Sequence, residues 1–137
     1  MEKKFLYSCY LLTSGAKEIL EVWLKKNKKQ IKHNKYLHHC TIQFGEDTLI
    51  DDKMINKKVG IKIIGYVENQ FANAFIVDKD SCISTNVNPH ITISTDKDTK
   101  PVYSNRLFNP ESNAEIIYFD EPSIFIISTE IKKIYAN

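Results

Sequence analysis

Apolar and polar positions alternate in blocks along the chain, and the blocks set out most of its elements. Phe5–Thr13 is a dense aromatic and aliphatic run that stops at Thr13-Ser14-Gly15, which predicts a mostly buried strand. Beyond it Ala16, Ile19, Leu20, Trp23 and Leu24 recur at helical spacing, with Thr13 or Ser14 placed to cap the helix. Leu37–Phe44 predicts a strand, and Gly45–Lys58 is polar and acid-rich, a loop or a short turn of helix. Val59–Glu68 and Phe71–Asp78 read as a hairpin around Asn69-Gln70, and Lys79–Asn88 as a loop. Pro89–Thr95 predicts another strand. Thr99–Pro110 predicts a short helix around Tyr103–Phe108, and Ala114–Phe119 and Ile124–Tyr135 predict the last two strands. Strands dominate, and one helix is strong.

Strand alternation makes two of these segments chemically distinctive. In Leu37–Phe44 successive side chains point to opposite faces, so His39, Thr41 and Gln43 are expected on one face and His38, Cys40, Ile42 and Phe44 on the other. In Pro89–Thr95 the same reading puts His90, Thr92 and Ser94 on one face and Ile91 and Ile93 on the other. The pattern His, apolar, Thr, Ile, polar thus occurs twice, 51 residues apart. One His-x-Thr carries little information. Two, each followed by Ile on an apolar-backed strand, carry much more.

The pairing has a chemical rationale. Phosphodiester cleavage without a metal requires a base for the attacking oxygen and an acid for the leaving oxygen. Histidine titrates near neutrality, so two imidazoles can divide those roles. Two threonine hydroxyls can donate to the non-bridging oxygens as charge develops on them. Four side chains from two strands would then clamp one phosphate, provided the strands lie close in space. The competing reading is two ordinary strand histidines.

The segments His38-His39-Cys40-Thr41-Ile42-Gln43-Phe44-Gly45 and Asn88-Pro89-His90-Ile91-Thr92-Ile93-Ser94-Thr95 resemble the two signature strands of the two-histidine (2H) phosphoesterase superfamily. More narrowly they resemble its RNA-repair-like branch, which includes the cyclic phosphodiesterase domain of tRNA ligases. Pro101-Val102-Tyr103-Ser104-Asn105 resembles an element that follows the second motif there, so the likeness spans about residues 5–108. It implies an α+β, bilobal fold with few helices, in which antiparallel sheets from two lobes pack around a V-shaped cleft. Residues 1–137 would form one domain, with the first lobe over about 1–68 and the second over about 69–137. The resemblance implies His39 and His90 as acid and base, in an order set by substrate orientation, and Thr41 and Thr92 as phosphate ligands. It implies no metal or cofactor. The substrate would be a 2′,3′-cyclic phosphate at an RNA end, or a cyclic nucleotide messenger cleaved to silence a signal, as some phage members of the family do. A nucleotide- or RNA-binding module without catalysis on the same fold is the alternative.

Several smaller signals adjust this picture. Residues 25–35 carry six lysines, either a solvated helix end matched to its dipole or a positive apron that attracts phosphates. Net charge is only +2, which by itself does not imply nucleic-acid binding. Arg106 is the single arginine, and its planar fork suits phosphate oxygens. Tyr103, with Phe44 and Tyr10, is a candidate for stacking a base. Ser104 and Asn105 are candidate substrate contacts or simply a helix cap. His38 is expected on the opposite face from Thr41, outside the catalytic pair, and no second ligand cluster sits at zinc-site spacing. The uneven cysteines Cys9, Cys40 and Cys82 suggest reduced thiols and a cytoplasmic setting. The apolar run at 5–12 is at the short limit of a secretion signal and lacks an A-x-A site, so it reads as strand. No run approaches the roughly 20 apolar residues of a membrane span, and no obligate protein partner is evident.

Overall fold

A computed structural model describes residues 3–136. Strand β1 (Phe5–Leu12) leads into helix α1 (Ser14–Lys26), whose N-cap is Thr13, its hydroxyl accepting from the Ala16 N–H at 3.1 Å. α1 buries Ala16, Leu20 and Leu24 and leaves Ile19 half exposed at its edge. Then come β2 (Asn34–Lys35), β3 (His39–Phe44), β4 (Lys58–Glu68), β5 (Ala72–Val77), β6 (His90–Thr95), β7 (Glu115–Tyr118) and β8 (Phe125–Tyr135). A 3₁₀ helix over Pro101–Phe108 stands where a short helix was expected. The β4–β5 hairpin turns at Asn69, whose Oδ1 accepts from the Phe71 and Ala72 N–H groups.

The bilobal expectation is not met. Six strands close into one antiparallel barrel in the order β6–β3–β1–β8–β4–β5, with β5 pairing back onto β6. β2 extends the edge of β6 and β7 that of β4. The architecture is therefore mostly β. The physical reason lies in the C-terminal strand. β8 pairs with β1 along one edge and β4 along the other, joining what were expected to be separate sheets. The supposed lobe boundary near residue 68 falls inside the paired β4–β5 hairpin.

The barrel interior is filled by Tyr10, Ile42, Ile61, Ile63, Tyr66, Phe75, Ile91, Ile93 and Ile127, with Leu20 and Leu24 of α1. A smaller cluster of Val67, Ala72, Ala74 and Ile76 receives Leu107 and fastens the 3₁₀ helix to β4 and β5. Gly65 is required where β7 approaches β4, because a Cβ there would stand 2.6 Å from the Ile117 carbonyl oxygen.

Candidate active site

The barrel is thinnest between β3 and β6, where the strands are paired at one position, Cys40 opposite Ile91. That pairing fixes the site. In an antiparallel pair, stepping one residue each way places His39 opposite Thr92 and Thr41 opposite His90. The four side chains therefore occupy the corners of a quadrilateral, each histidine across from the other motif's threonine and diagonal to the other histidine. Directly opposed residues have Cβ atoms about 4.5–5.5 Å apart and same-strand neighbours roughly 6–7 Å. All four line one cavity of about 560 Å³.

Local chain geometry delivers them there. Residues 34–37 run along β6, with the Tyr36 and Leu37 N–H groups donating to the Ile93 and Thr92 carbonyls. Leu37, buried at φ 48°, then turns the chain into β3 through a left-handed conformation that a branched residue rarely adopts. On the other side of the pairing, loop 82–88 takes over the edge of β3. Ser84 Oγ donates to the Thr41 carbonyl at 2.8 Å and the Thr85 N–H to that of Ile42 at 2.8 Å.

Both motifs end in a β-bulge at the same place. β1 pairs Ser8 with Gln43 and Cys9 with Thr41, skipping Ile42. β5 pairs Asn73 with Ser94 and Ala74 with Thr92, skipping Ile93. An extra residue reverses alternation beyond it, and this corrects two expectations. Gln43 is buried, its Oε1 accepting from the Thr48 and Leu49 N–H groups, whereas Phe44 is exposed and lines the cavity with His39 and Thr41. Ser94 is fully buried and donates to Asn73 Oδ1 at 2.6 Å instead of facing the site.

The two histidines sit in different environments. His90 is nearly buried. Its Nδ1 is 2.8 Å from the Asn88 carbonyl, which can only accept, so Nδ1 carries a proton and, in the neutral ring, Nε2 holds the lone pair. Burial pushes its pKa down from the ordinary value, and the Asn88 carbonyl opposes that. His39 stacks on Tyr7 at 4.8 Å and places its Nδ1 2.8 Å from Nδ1 of His38. Burial above all, then the neighbouring His38 and His90, push His39 down to about 4. His38 was expected to diverge from the site. It lies just before β3, where strand alternation does not apply, and its ring meets His39 edge-on and lines the cavity.

The candidates after the second motif divide. Ser104 and Asn105 line the cavity. Tyr103 does not. Its hydroxyl accepts from Asn69 Nδ2 at 2.8 Å and its ring packs edge-on against Phe71, so it braces the β4–β5 turn. Arg106 is exposed and is not among the lining residues. Tyr10 is buried and holds the loop, accepting from the Ile83 N–H at 2.8 Å. Tyr7, Tyr36 and Asn86 line the cavity without having been singled out in the sequence, because they reach it from β1, the segment before β3 and the loop before β6. The lysines of residues 25–35 do not line it. Lys25 and Lys29 belong to a separate groove along α1, and Lys35 pairs with Glu21 at 3.2 Å. The three thiols are free. Among the described residues no three His, Cys, Asp or Glu side chains cluster as a metal site would need, and no helix is long and apolar enough to cross a membrane. No family model matches the chain, and no curated protein matches it.

Proposed function

We propose that the chain is a two-histidine phosphodiesterase that hydrolyses a nucleotide phosphodiester by acid–base catalysis without a metal. The carrying observation is the Cys40–Ile91 pairing, which brings both His-x-Thr motifs into one cavity with histidine and threonine at alternate corners. A phosphate centred among them would have a threonine hydroxyl for each non-bridging oxygen. It would also have an imidazole on either side of phosphorus, one for the entering and one for the leaving oxygen. The resemblance of both strands to the 2H phosphoesterases supports the same reading.

The cavity favours a small substrate over a long RNA. Its walls are aromatic and apolar at Tyr7, Tyr36, Phe44 and Val102, and no lysine or arginine is among its lining residues. A site that tracks an RNA backbone uses a line of cations to neutralise successive phosphates. This one suits a single phosphodiester flanked by bases, as in a cyclic nucleotide messenger. Three free thiols, two of them buried, suit a reducing, cytoplasmic setting.

The test is turnover in EDTA of 2′,3′-cyclic mononucleotides, an RNA with a cyclic phosphate end, and 3′,5′- and 2′,5′-linked cyclic oligonucleotides. Turnover of a cyclic nucleotide with a bell-shaped pH profile, lost in both His39→Ala and His90→Ala, supports the proposal. Tight binding of one compound without turnover would favour a nucleotide-binding module. Turnover that survives both substitutions would remove the motifs from the site, and restoration only by added metal would overturn the mechanism.

A further inference from the structure

The proposed reaction leaves the thiols unused, and two of them are neighbours. Cys40 stands between His39 and Thr41 on β3, is fully buried and belongs to the apolar cluster of the barrel interior. Cys82 opens the 82–88 loop, is partly exposed and packs on the same cluster. Hydrogen bonds bring the loop to the strand. Tyr10, paired with Cys40 from β1, accepts from the Ile83 N–H at 2.8 Å. Ser84 Oγ and the Thr85 N–H donate to the Thr41 and Ile42 carbonyls, each at 2.8 Å, so the loop runs beside β3 in the same direction. Cys82, at its start, therefore lies back along the strand at Cys40, and the two side chains are in hydrogen-bonding contact.

The two thiols are not equivalent. Cys82 Sγ donates to the Asp78 carbonyl at 3.7 Å, which leaves its lone pairs to accept from the Cys40 thiol. That bond from Cys40 brings Cys82 below its ordinary value, against burial and the Asp78 carboxylate. The same bond, together with burial, holds Cys40 well above the ordinary value. The thiolate is the form of cysteine that attacks an oxidant. Cys82 is thus the reactive and reachable sulfur, and Cys40 lies behind it within reach. Cys9, the third thiol, is fully buried outside the cluster that holds the other two, and burial pushes it up to about 12.

We propose that Cys82 and Cys40 are a redox-active pair: a peroxide oxidises Cys82, and Cys40 then closes an intramolecular disulfide that ties the 82–88 loop to β3. In the first step the Cys82 sulfur attacks one oxygen of hydrogen peroxide. The S–O bond forms as the O–O bond breaks, and the departing oxygen leaves as water with the thiol's proton. Cys82 is then a sulfenic acid. In the second step the Cys40 sulfur attacks the Cys82 sulfur. The S–S bond forms, the S–O bond breaks, and the oxygen leaves as a second water with the Cys40 proton. Two electrons pass from the thiols to the peroxide, so one peroxide yields one disulfide and two waters.

The bond has a structural consequence for the cavity. β3 and β6 are paired at one position, Cys40 opposite Ile91, and the 82–88 loop leads directly into β6. The loop also carries Asn86, which lines the cavity, and the Asn88 carbonyl that holds His90 Nδ1. A disulfide would add a covalent tie to the thinnest seam of the barrel, at the residue that makes its one backbone pairing. The inference goes beyond the phosphodiesterase reading and stands or falls without it.

The experiment is hydrogen peroxide treatment of the folded full chain, read by intact mass, thiol alkylation and peptide mapping. Oxidation should remove a pair of hydrogens from the mass without adding oxygen, leave one of the three thiols open to alkylation after unfolding, and join the peptides that contain Cys40 and Cys82. Dithiothreitol should restore the parent mass. Cys9→Ala should react as the parent does. Cys82→Ser should form no disulfide, and Cys40→Ala should stop at a Cys82 sulfenic acid that dimedone traps. Cys40 is a core residue, so if Cys40→Ala does not fold, the peptide map of the parent and the behaviour of Cys82→Ser decide the matter. The Ile83 and Thr85 N–H groups are both bonded across the seam, and their hydrogen exchange should slow at least about tenfold in the oxidised chain. A bridge through Cys9 or between two chains overturns the proposal, as does Cys82 carried to the sulfinic acid with Cys40 still free, or a chain that peroxide leaves unchanged. Unaltered exchange in a chain shown to hold the Cys40–Cys82 bond would overturn its role in fastening the loop.

Discussion

The environment of His39 makes a quantitative demand on the stability of the protein. An unfolded chain titrates this histidine at its ordinary value of 6.5, whereas the folded chain holds it down to about 4, chiefly by burial. The folded state therefore binds fewer protons than the unfolded one between those values, so stability rises with pH across the window and is lost as pH falls through it. At about 1.36 kcal/mol per unit, complete protonation costs about 3 kcal/mol. Applying the linkage relation to a drop from about pH 7 to about pH 5 gives a loss near 2 kcal/mol from this residue alone. Replacing His39 with Gln keeps a polar side chain of similar reach and removes the titration. Urea unfolding at the two pH values measures the difference, and the absolute stability of the variant does not matter. The parent should lose about 2 kcal/mol more than His39→Gln on acidification, and the contributions of His38 and His90 remain in both. Equal acid sensitivity in the two proteins would refute the claim that His39 is held neutral by its surroundings.

Other substitutions probe the site and its supports. Thr41→Ala and Thr92→Ala should each lower kcat by about 10²-fold in the substrate assay, the cost of one donor to a developing oxyanion, with unfolding midpoints close to the parent's. Asn73 is fully buried and donates to the Gln30 carbonyl and the Tyr66 hydroxyl while accepting from Ser94. Asn73→Ala should cost about 2–3 kcal/mol in denaturant unfolding, because it strands three polar groups in the interior. Gly65→Val should cost about 1–3 kcal/mol and speed amide exchange in β7, because the new side chain has to displace the Ile117 carbonyl.

Much of the candidate site's geometry was legible because it is local. His39, Thr41, His90 and Thr92 each stand two residues from their partner on a strand, and alternation alone puts each pair on one face. The hairpin at Asn69, the Thr13 cap and the inward face of α1 were legible for the same reason. What escaped is relational. Strand order along the chain does not say that β8 will lie between β1 and β4, and that insertion turns two expected sheets into a barrel. A bulge depends on the partner strand as well as the bulged one, so nothing in Thr41-Ile42-Gln43-Phe44 alone announces that Phe44 will face the cavity and Gln43 the interior. The lysine-rich stretch is conspicuous in sequence, yet it follows α1 to a different face of the barrel. Ser104 carries no local mark at all, because what ties it to the cavity is its contact with His90 and Thr92, 14 and 12 residues earlier in the chain.

The unpaired isoleucines after each threonine give the two strands an uncommon tolerance. A strand without a bulge is a single rigid code, in which a slip of one residue turns every side chain over together. Here each strand is divided into two independent reading frames, with Ile42 and Ile93 as the spacers between them. The first frame displays a histidine and a threonine toward the cavity. The second seals the interior in β6 and, in β3, buries Gln43 while offering Phe44 to the rim. Lengthening, shortening or recasting the second frame leaves the first untouched, so the walls of the cavity can be remodelled while the two histidines and two threonines keep their corners.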